Sequence, residues 1–263
     1  MPLPKKSLGQ NFLMHPQIAE RIVNVAQVPA GVPVLEIGPG TGMLTRALLG
    51  AGYRVIAVEA DDELIAPLRE TFASEIGAGK LTVIHEDIRA FDTASLPRPY
   101  ALIANIPYYI TGEIIRTFLT APNKPQSMTL LVQKEVAERI ARLDEKRPKE
   151  SLLSLSVKVF GKPEYCFTVP RGAFRPAPNV DSAVLAIRDI NPDAFANAEG
   201  ESAFFNLVRA GFAHKRKQLG GNLALHYPPE HVRKSLATAN ISEKTRSEDL
   251  SLADWLRLLS YIK

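Results

Sequence analysis

The sequence predicts an α/β fold: a mostly parallel sheet with one antiparallel hairpin strand, followed by a small all-α C-terminal domain. Three observations predict it. From 33 to about 132, short continuous apolar runs alternate with amphipathic helical patterns, as doubly buried strands and their crossover helices do. The runs 152–160 and 163–169 flank Gly161 and read as an antiparallel hairpin. After Asp189-Ile190-Asn191-Pro192 only helical patterns remain, so residues 1–190 are expected to form one domain and 191–263 a second.

The bulk numbers bound the class. A chain of 263 residues is long enough for one large core and a smaller appendage. It is 46% hydrophobic and 23% charged, ordinary for a globular protein. A net charge of +4 and a pI near 9.1 lean towards a polyanionic partner. The single cysteine, Cys166, excludes an internal disulfide and suits a reducing compartment. No apolar run approaches a membrane span, and Met1 to Lys6 carry no secretory signal. The expectation is a cytoplasmic protein with no membrane partner.

Taken in order, residues 1–14 lack periodicity. Phe12 and Leu13 are apolar anchors that would dock the segment, letting Gln10 and Asn11 reach a ligand while Lys5 and Lys6 face a phosphate backbone. A frayed terminus is the other reading. A helix follows at about 16–28, with Pro16 in its first turn and Ile18, Ile22, Val25 and Ala26 on one stripe. Strands are expected at 33–37, 54–58, 80–85, 99–104 and 127–132, with helices at 42–51, 62–76 and 111–120. In such sheets ligands sit beyond the carboxyl ends of the strands, which singles out Gly38, Glu59, Asp87 and Asn105.

The strand at Val34–Ile37 runs into a loop with Gly at 38, 40 and 42, then into a helix. Such a loop lets a ligand approach the backbone and meet free N–H groups. Glu59, ending the next apolar run, is placed to accept both hydroxyls of a ribose. Dinucleotide binding wants G-x-G-x-x-G, which would need Gly where Met43 stands. Glu36, two positions before Gly38, reads as a further carboxylate unfavourable to a pyrophosphate. A ligand with a cationic centre and an amino-acid tail fits better, and S-adenosylmethionine is one.

Asp87 is placed to accept an adenine's exocyclic amine, or else to cap the turn at 88–91; Ile88 beside it would pack on the ring. His85 reads as a surface residue, with no metal-type spacing around it. Asn105-Ile106-Pro107-Tyr108 follows a strand and precedes a helix capped by Thr111. Methylating an aromatic amine is hard because its lone pair is delocalised. Acceptors that hold both amine hydrogens help, and the Asn105 side chain and Ile106 carbonyl are candidates. Pro107 would stiffen the turn, and Tyr108 offers a ring for an extruded base. Water can take the proton, so no general base is sought and no metal is expected.

Gln133 to Ile140 reads as a surface helix and the charges up to Glu150 as a solvated connection. Phe174-Arg175-Pro176 opens a rigid loop before a closing strand at 183–187; Phe174 reads either as a ring over the base or as a core aromatic. Helices are expected near 200–213, 216–226, 229–237 and 251–262. Between the first two, His214-Lys215-Arg216-Lys217-Gln218 concentrates positive charge, which is either a solvated face or, with Lys5, Lys6, Arg171 and Arg175, a phosphate-tracking surface.

Together these motifs resemble the small-subunit ribosomal RNA adenine dimethyltransferases of the KsgA type. Leu8-Gly9-Gln10-Asn11-Phe12-Leu13, Leu35 to Gly42, Asn105 to Tyr108, and Phe174-Arg175-Pro176 through Val180-Asp181-Ser182-Ala183-Val184 stand in the family's order. The resemblance implies a Rossmann-like class I methyltransferase sheet. It implies transfer of two methyls from S-adenosylmethionine to N6 of each of two adjacent adenosines in a hairpin loop near the RNA's 3′ end. It also implies a monomer acting on rRNA within an immature 30S-type particle, and cofactor contacts from Asn11, Leu13, Gly38, Glu59, Asp87 and Asn105. Residues 1–14 then belong to the active site. Catalysis falls to Asn105, Ile106, Pro107 and Tyr108, and RNA contacts to Tyr108, Phe174, Arg175, Lys215, Arg216 and Lys217.

Two departures stand out. Asp144 to Glu150 replaces a Pro-Gly-Ser-Lys-like stretch followed by Tyr-Gly, and the Arg216-Lys217-x-Leu219-x-x-Asn222 pattern carries Gly220 and Gly221 inside it. Two other readings compete: a large-subunit rRNA adenine methyltransferase of the macrolide-resistance type, and a non-catalytic ribosome-assembly factor that binds RNA.

Overall fold

The computed structural model describes Lys5, residues 8–141 and residues 149–262. They divide into two compact units: residues up to Ala137 with Gly161–Ile190, and Glu138–Phe160 with Asn191 onward.

In the first unit a seven-stranded sheet has the order β4-β3-β2-β5-β6-β9-β7. Its strands are β2 (Val34–Ile37), β3 (Val55–Glu59), β4 (Leu81–His85), β5 (Ala101–Asn105), β6 (Ser127–Gln133), β7 (Lys162–Val169) and β9 (Ser182–Arg188). The first five pair in parallel, whereas β9 is antiparallel to both β6 and β7. A mostly parallel sheet with one reversed strand is the expected class, but the reversed strand is β9 and not a member of the hairpin expected from 152–160 and 163–169. From β2 the chain steps outward to β3 and β4, then returns to β5 on the other side. That reversal leaves a crevice beyond the carboxyl ends of β2 and β5. A separate ribbon pairs β1 (Phe12–Leu13) with β8 (Phe174–Arg175), Leu13 opposite Phe174.

Helical spacing decides what packs on the sheet. In α1 (Pro16–Ala26) Ala19, Ile22, Val23 and Ala26 are buried, the i, i+3, i+4 and i+7 stripe of an amphipathic helix. In α2 (Met43–Gly50) Leu44 and Leu48 do the same. Asp61 caps α3 (Asp62–Thr71) by accepting the Glu63 N–H at 3.2 Å. The helix expected over 62–76 breaks at buried Phe72, after which α4 (Ala73–Gly77) adds one turn. Helix α5 (Thr111–Thr120) buries Ile114, Ile115, Phe118 and Leu119. Its N-cap is Ile110, not Thr111; the Thr111 hydroxyl is buried and, among the described residues, has no hydrogen-bond partner. Helix α6 (Lys134–Ala141) carries the chain into the second unit, with Ala137 and Ile140 fully buried.

The second unit is helical: α7 (Leu152–Phe160), α8 (Ala198–Gly211), α9 (Leu219–Leu223), α10 (Pro229–Thr238) and α11 (Leu252–Ile262). Phe160, Phe204 and Phe205 form its aromatic core with Phe195, and a Cβ on Gly211 would lie 2.3 Å from the Trp255 ring, so α8 and α11 touch there.

The strand expected at 152–160 is instead α7. The run alternates apolar and polar residues, but another period overlies it. Ser151 and Ser154 cap each other reciprocally, the Ser154 N–H meeting the Ser151 hydroxyl at 3.1 Å and the Ser151 N–H the Ser154 hydroxyl at 2.7 Å. Glu150, Ser154 and Lys158, four apart, then bond along one helical face, with Ser154 Oγ and Lys158 Nζ donating to the buried Glu150 carboxylate. Glu150 is therefore part of a packed element rather than of a solvated connection. Residues 144–148 of that stretch lie outside the described residues.

Candidate active site

The carboxyl ends of β2, β3, β4 and β5 open into a cleft of about 1020 Å³, counted with its mouth. Gly38, Glu59, Asp87 and Asn105, expected there from strand positions alone, all line it, and so do Asn11, Leu13 and Tyr108.

The glycine loop forms the floor. Gly38 (φ +65°) takes the left-handed conformation, and a Cβ there would meet nothing within 4 Å, so bare backbone faces space a ligand can use. At Gly42 (φ +80°) a Cβ would lie 2.5 Å from Phe72, which excludes any side chain. Between them the Gly40 N–H donates to Glu59 Oε2 at 3.0 Å, while the Asp61 N–H donates to Oε1 at 2.9 Å. Two backbone donors thus hold the Glu59 carboxylate rigidly, and each oxygen keeps a lone pair for a hydroxyl donor. Burial raises its pKa, and those same two N–H groups oppose the rise.

Glu36 behaves differently from the expectation. It is 1% exposed, accepts the Thr45 hydroxyl at 2.7 Å through Oε2, and burial raises its carboxyl to about 8. Its raised pKa favours the uncharged acid within β2, so the carboxylate that meets the glycine loop is that of Glu59, not of Glu36. The argument against a pyrophosphate from Glu36 therefore falls, and the glycine spacing with Met43 remains.

Asp87 is half exposed and Ile88 beside it is buried against the cleft. The Asp87 side chain accepts the Arg89 backbone N–H at 2.9 Å, the turn-capping bond weighed from sequence, and also the Arg89 guanidinium at 2.6 Å. That guanidinium, foremost, holds the Asp87 carboxyl below its usual range.

One wall is built from Lys5 and residues 8–14, the described part of the N-terminal segment, which are anchored. Lys5 Nζ meets Asp61 at 2.6 Å, Asp62 at 3.1 Å and Glu63 at 3.1 Å, so this lysine does not face a phosphate backbone as expected. Lys6 lies outside the described residues. Gln10 spends its amide on the same anchor, donating to Asp61 at 2.8 Å and accepting the Lys5 N–H at 2.7 Å. Burial pushes the Asp61 carboxyl up, but Lys5 and Gln10 together keep it below its ordinary value. Phe12 packs at the Gly40 Cα, and Phe12 and Leu13 enter the core.

The adjoining wall is the Asn105–Tyr108 turn. Asn105 Nδ2 donates to the Asn11 carbonyl at 3.0 Å. A carbonyl can only accept, so it must face the amide nitrogen; this bond fixes the amide's orientation and leaves Asn105 Oδ1 as the acceptor. Tyr108 is half-buried, and its hydroxyl lies 2.6 Å from the fully buried Ser182 Oγ. Burial raises the phenol's pKa, with the Ser182 bond opposing.

Phe174 is 4% exposed within the core cluster and does not line the cleft, so of its two readings it is the core aromatic. Its strand β8 instead holds β1, and through it Asn11. Arg175 and Arg171 are exposed in the same loop. In the helical unit Lys215, Arg216 and Lys217 are exposed in the turn between α8 and α9, as expected. Buried Asn222 staples that turn by donating to the Gly211 and His214 carbonyls. Sequence reasoning missed Asp61, Arg89 and Ser182 as partners of site residues; only Asp61 carried a local signal, as an acidic residue opening a helix two positions after Glu59.

The family model for "Ribosomal RNA adenine dimethylase" matches residues 3–263. A ribosomal RNA small subunit methyltransferase A from Dehalococcoides mccartyi is 40% identical over 259 residues, covering 97% of this chain and 87% of that one. The protein of the same name from Fusobacterium nucleatum is 36% identical over 258 residues, covering 97% and 96%. Among solved structures, a dimethyladenosine transferase from Plasmodium falciparum superposes with a TM-score of 0.77 at 27% identity, covering 94% of this chain and 95% of that one. The 23S rRNA methyltransferase ErmE gives 0.74 at 29% identity, covering 96% and 99%.

Proposed function

This chain belongs to the ribosomal RNA adenine dimethylase family, and from that premise we propose that it dimethylates N6 of two adjacent adenosines in the 3′-terminal hairpin loop of small-subunit rRNA. The donor is S-adenosylmethionine, without a metal, and the substrate is an immature 30S-type particle on which a monomer acts in the cytoplasm. One observation carries the reading. The bond from Asn105 to the Asn11 carbonyl leaves an amide oxygen, without a partner among the described residues, at the end of β5 in the same cleft as the Glu59 carboxylate.

The cleft suits that donor. Gly38 leaves room at the backbone, Glu59 keeps lone pairs for ribose hydroxyls, and Asp87 with Ile88 offers an acceptor and an apolar surface for adenine. Asn11 and Leu13 close it from the N-terminal side. When bound, S-adenosylmethionine supplies an electrophilic methyl group. The chain's own work lies on the acceptor side. Asn105 Oδ1 and the Ile106 carbonyl accept the two amine hydrogens and draw the nitrogen's lone pair out of the ring, Pro107 stiffens the turn, and Tyr108 stacks the extruded base. The methylated amine is acidic and releases its proton to water. Lys215, Arg216, Lys217 and Arg175 track phosphates.

The test is labelled methyl transfer into immature small subunits followed by nucleoside analysis; N6,N6-dimethyladenosine is expected, and its absence overturns the reading. Primer extension on both rRNAs separates it from a large-subunit methylase, a distinction that the likeness to ErmE leaves to experiment and the relatives named above favour. Replacing Lys215, Arg216 and Lys217 together by Ala lowers the salt slope of RNA binding by about 2, at roughly 0.7 per single-strand phosphate contact. An unchanged slope would mean the turn only faces solvent.

A further inference from the structure

The motif running from Phe174 to Val184 lies far along the chain from the cleft, and its exposed loop lines none of it. What it supplies is anchorage. Its first strand, β8, pairs with β1, and its far end, Ser182, reaches Tyr108. Ser182 opens β9, where it stands opposite Gln133 of β6 and Val169 of β7. Ladders on both sides fix its backbone, and its side chain is fully buried. Tyr108, by contrast, sits in a single short turn, Tyr108–Ile110, between β5 and α5. Its ring therefore borrows rigidity from a strand two places along the sheet.

We infer that Ser182 is a positioning residue for methyl transfer: the 2.6 Å bond between its hydroxyl and that of Tyr108 holds the aromatic ring where the acceptor base stacks. The inference rests on the reading of Tyr108 as the stacking platform. A tyrosine ring pivots about two side-chain torsions; a hydroxyl tether at its far end fixes the first, and the second, which turns the ring about the axis through that hydroxyl, is left to the half-buried surroundings of the ring. The burial around the phenol keeps it protonated, so the pair always has a proton to share. Stacking stabilises an extruded base, and an untethered ring delivers only part of that stabilisation, because the base must then order the ring as well.

Two variants break the tether from opposite ends. Ser182→Ala removes the anchor without adding volume, and Tyr108→Phe keeps the ring while removing its hydroxyl. Single-turnover methyl transfer to small subunits is expected to fall roughly tenfold in each, and no further in the double variant, because both remove one interaction. RNA carrying 2-aminopurine at the acceptor position should show less fluorescence quenching in both variants, while S-adenosylhomocysteine affinity by calorimetry stays within about twofold of wild type. Multiplying losses in the double variant, or a Ser182→Ala protein with wild-type transfer and quenching, would overturn the inference. If Ser182→Ala melts early, Tyr108→Phe, which disturbs no ladder, decides alone. Failure of the wild-type protein to form dimethyladenosine would sink the function itself and is read in the same assay.

Discussion

The two halves of the cleft are built differently. On the side proposed for the donor, backbone does the holding: the Gly40 and Asp61 N–H groups fix Glu59, and strand and loop geometry fix those in turn. On the side proposed for the acceptor base, Asn105 and Tyr108 are each held by a bond from a distant segment, Asn105 by the Asn11 carbonyl and Tyr108 by Ser182. A site for a small, constant ligand can be as rigid as its scaffold. On the proposed function, a site that admits a base extruded from a folded RNA is assembled from separate chain segments, so it can be loosened one tether at a time.

The sharpest way to separate the halves is Asn105→Ala. Loss of one preorganised acceptor costs about 10²–10³ in transfer rate, while donor affinity, measured by calorimetry, should change less than tenfold. Equal losses in both would erase the distinction. Glu59→Gln is the converse. It sets an amide donor against backbone N–H groups, and loss of charged hydrogen bonds of about 1.5–3 kcal/mol weakens donor binding by roughly 10–100-fold. RNA affinity in that variant should stay put, and normal donor affinity would refute the ribose assignment.

The smallest effect lies beneath the loop. Burial raises Glu36 from 4.5 to about 8, so between those values the folded chain holds a proton the unfolded chain has released. This group's contribution to stability is full below the lower value and lost as pH rises through the upper one. Glu36→Gln, which imitates the protonated acid, should therefore raise the melting temperature more at about pH 9 than at about pH 5. A pH-independent difference would place the proton elsewhere.

The alternating pattern from 33 to 132 was legible because each strand and helix there is decided by its own spacing. Gly38, Glu59, Asp87 and Asn105 were legible for the same reason: each closes an apolar run, and in a parallel sheet those ends share one edge. The stretch 152–160 was not, since its alternation fits a strand until Glu150, Ser154 and Lys158 are joined across a helix face. Nor was the boundary there, because residues 138–160 fold with the C-terminal helices, although the chain returns to the sheet at Gly161.

By itself, then, the sequence determined the order of strands and helices from 33 to 132 and which residues stand at the strand ends there, since hydrophobic period and glycine placement act over a few neighbouring residues. Tertiary structure alone decided that Lys5 serves Asp61 and not a phosphate, that Phe174 is core, that Glu36 is neutral, and that Ser182 holds Tyr108. Those outcomes depend on burial and on partners tens of residues away, and neither is written in local spacing.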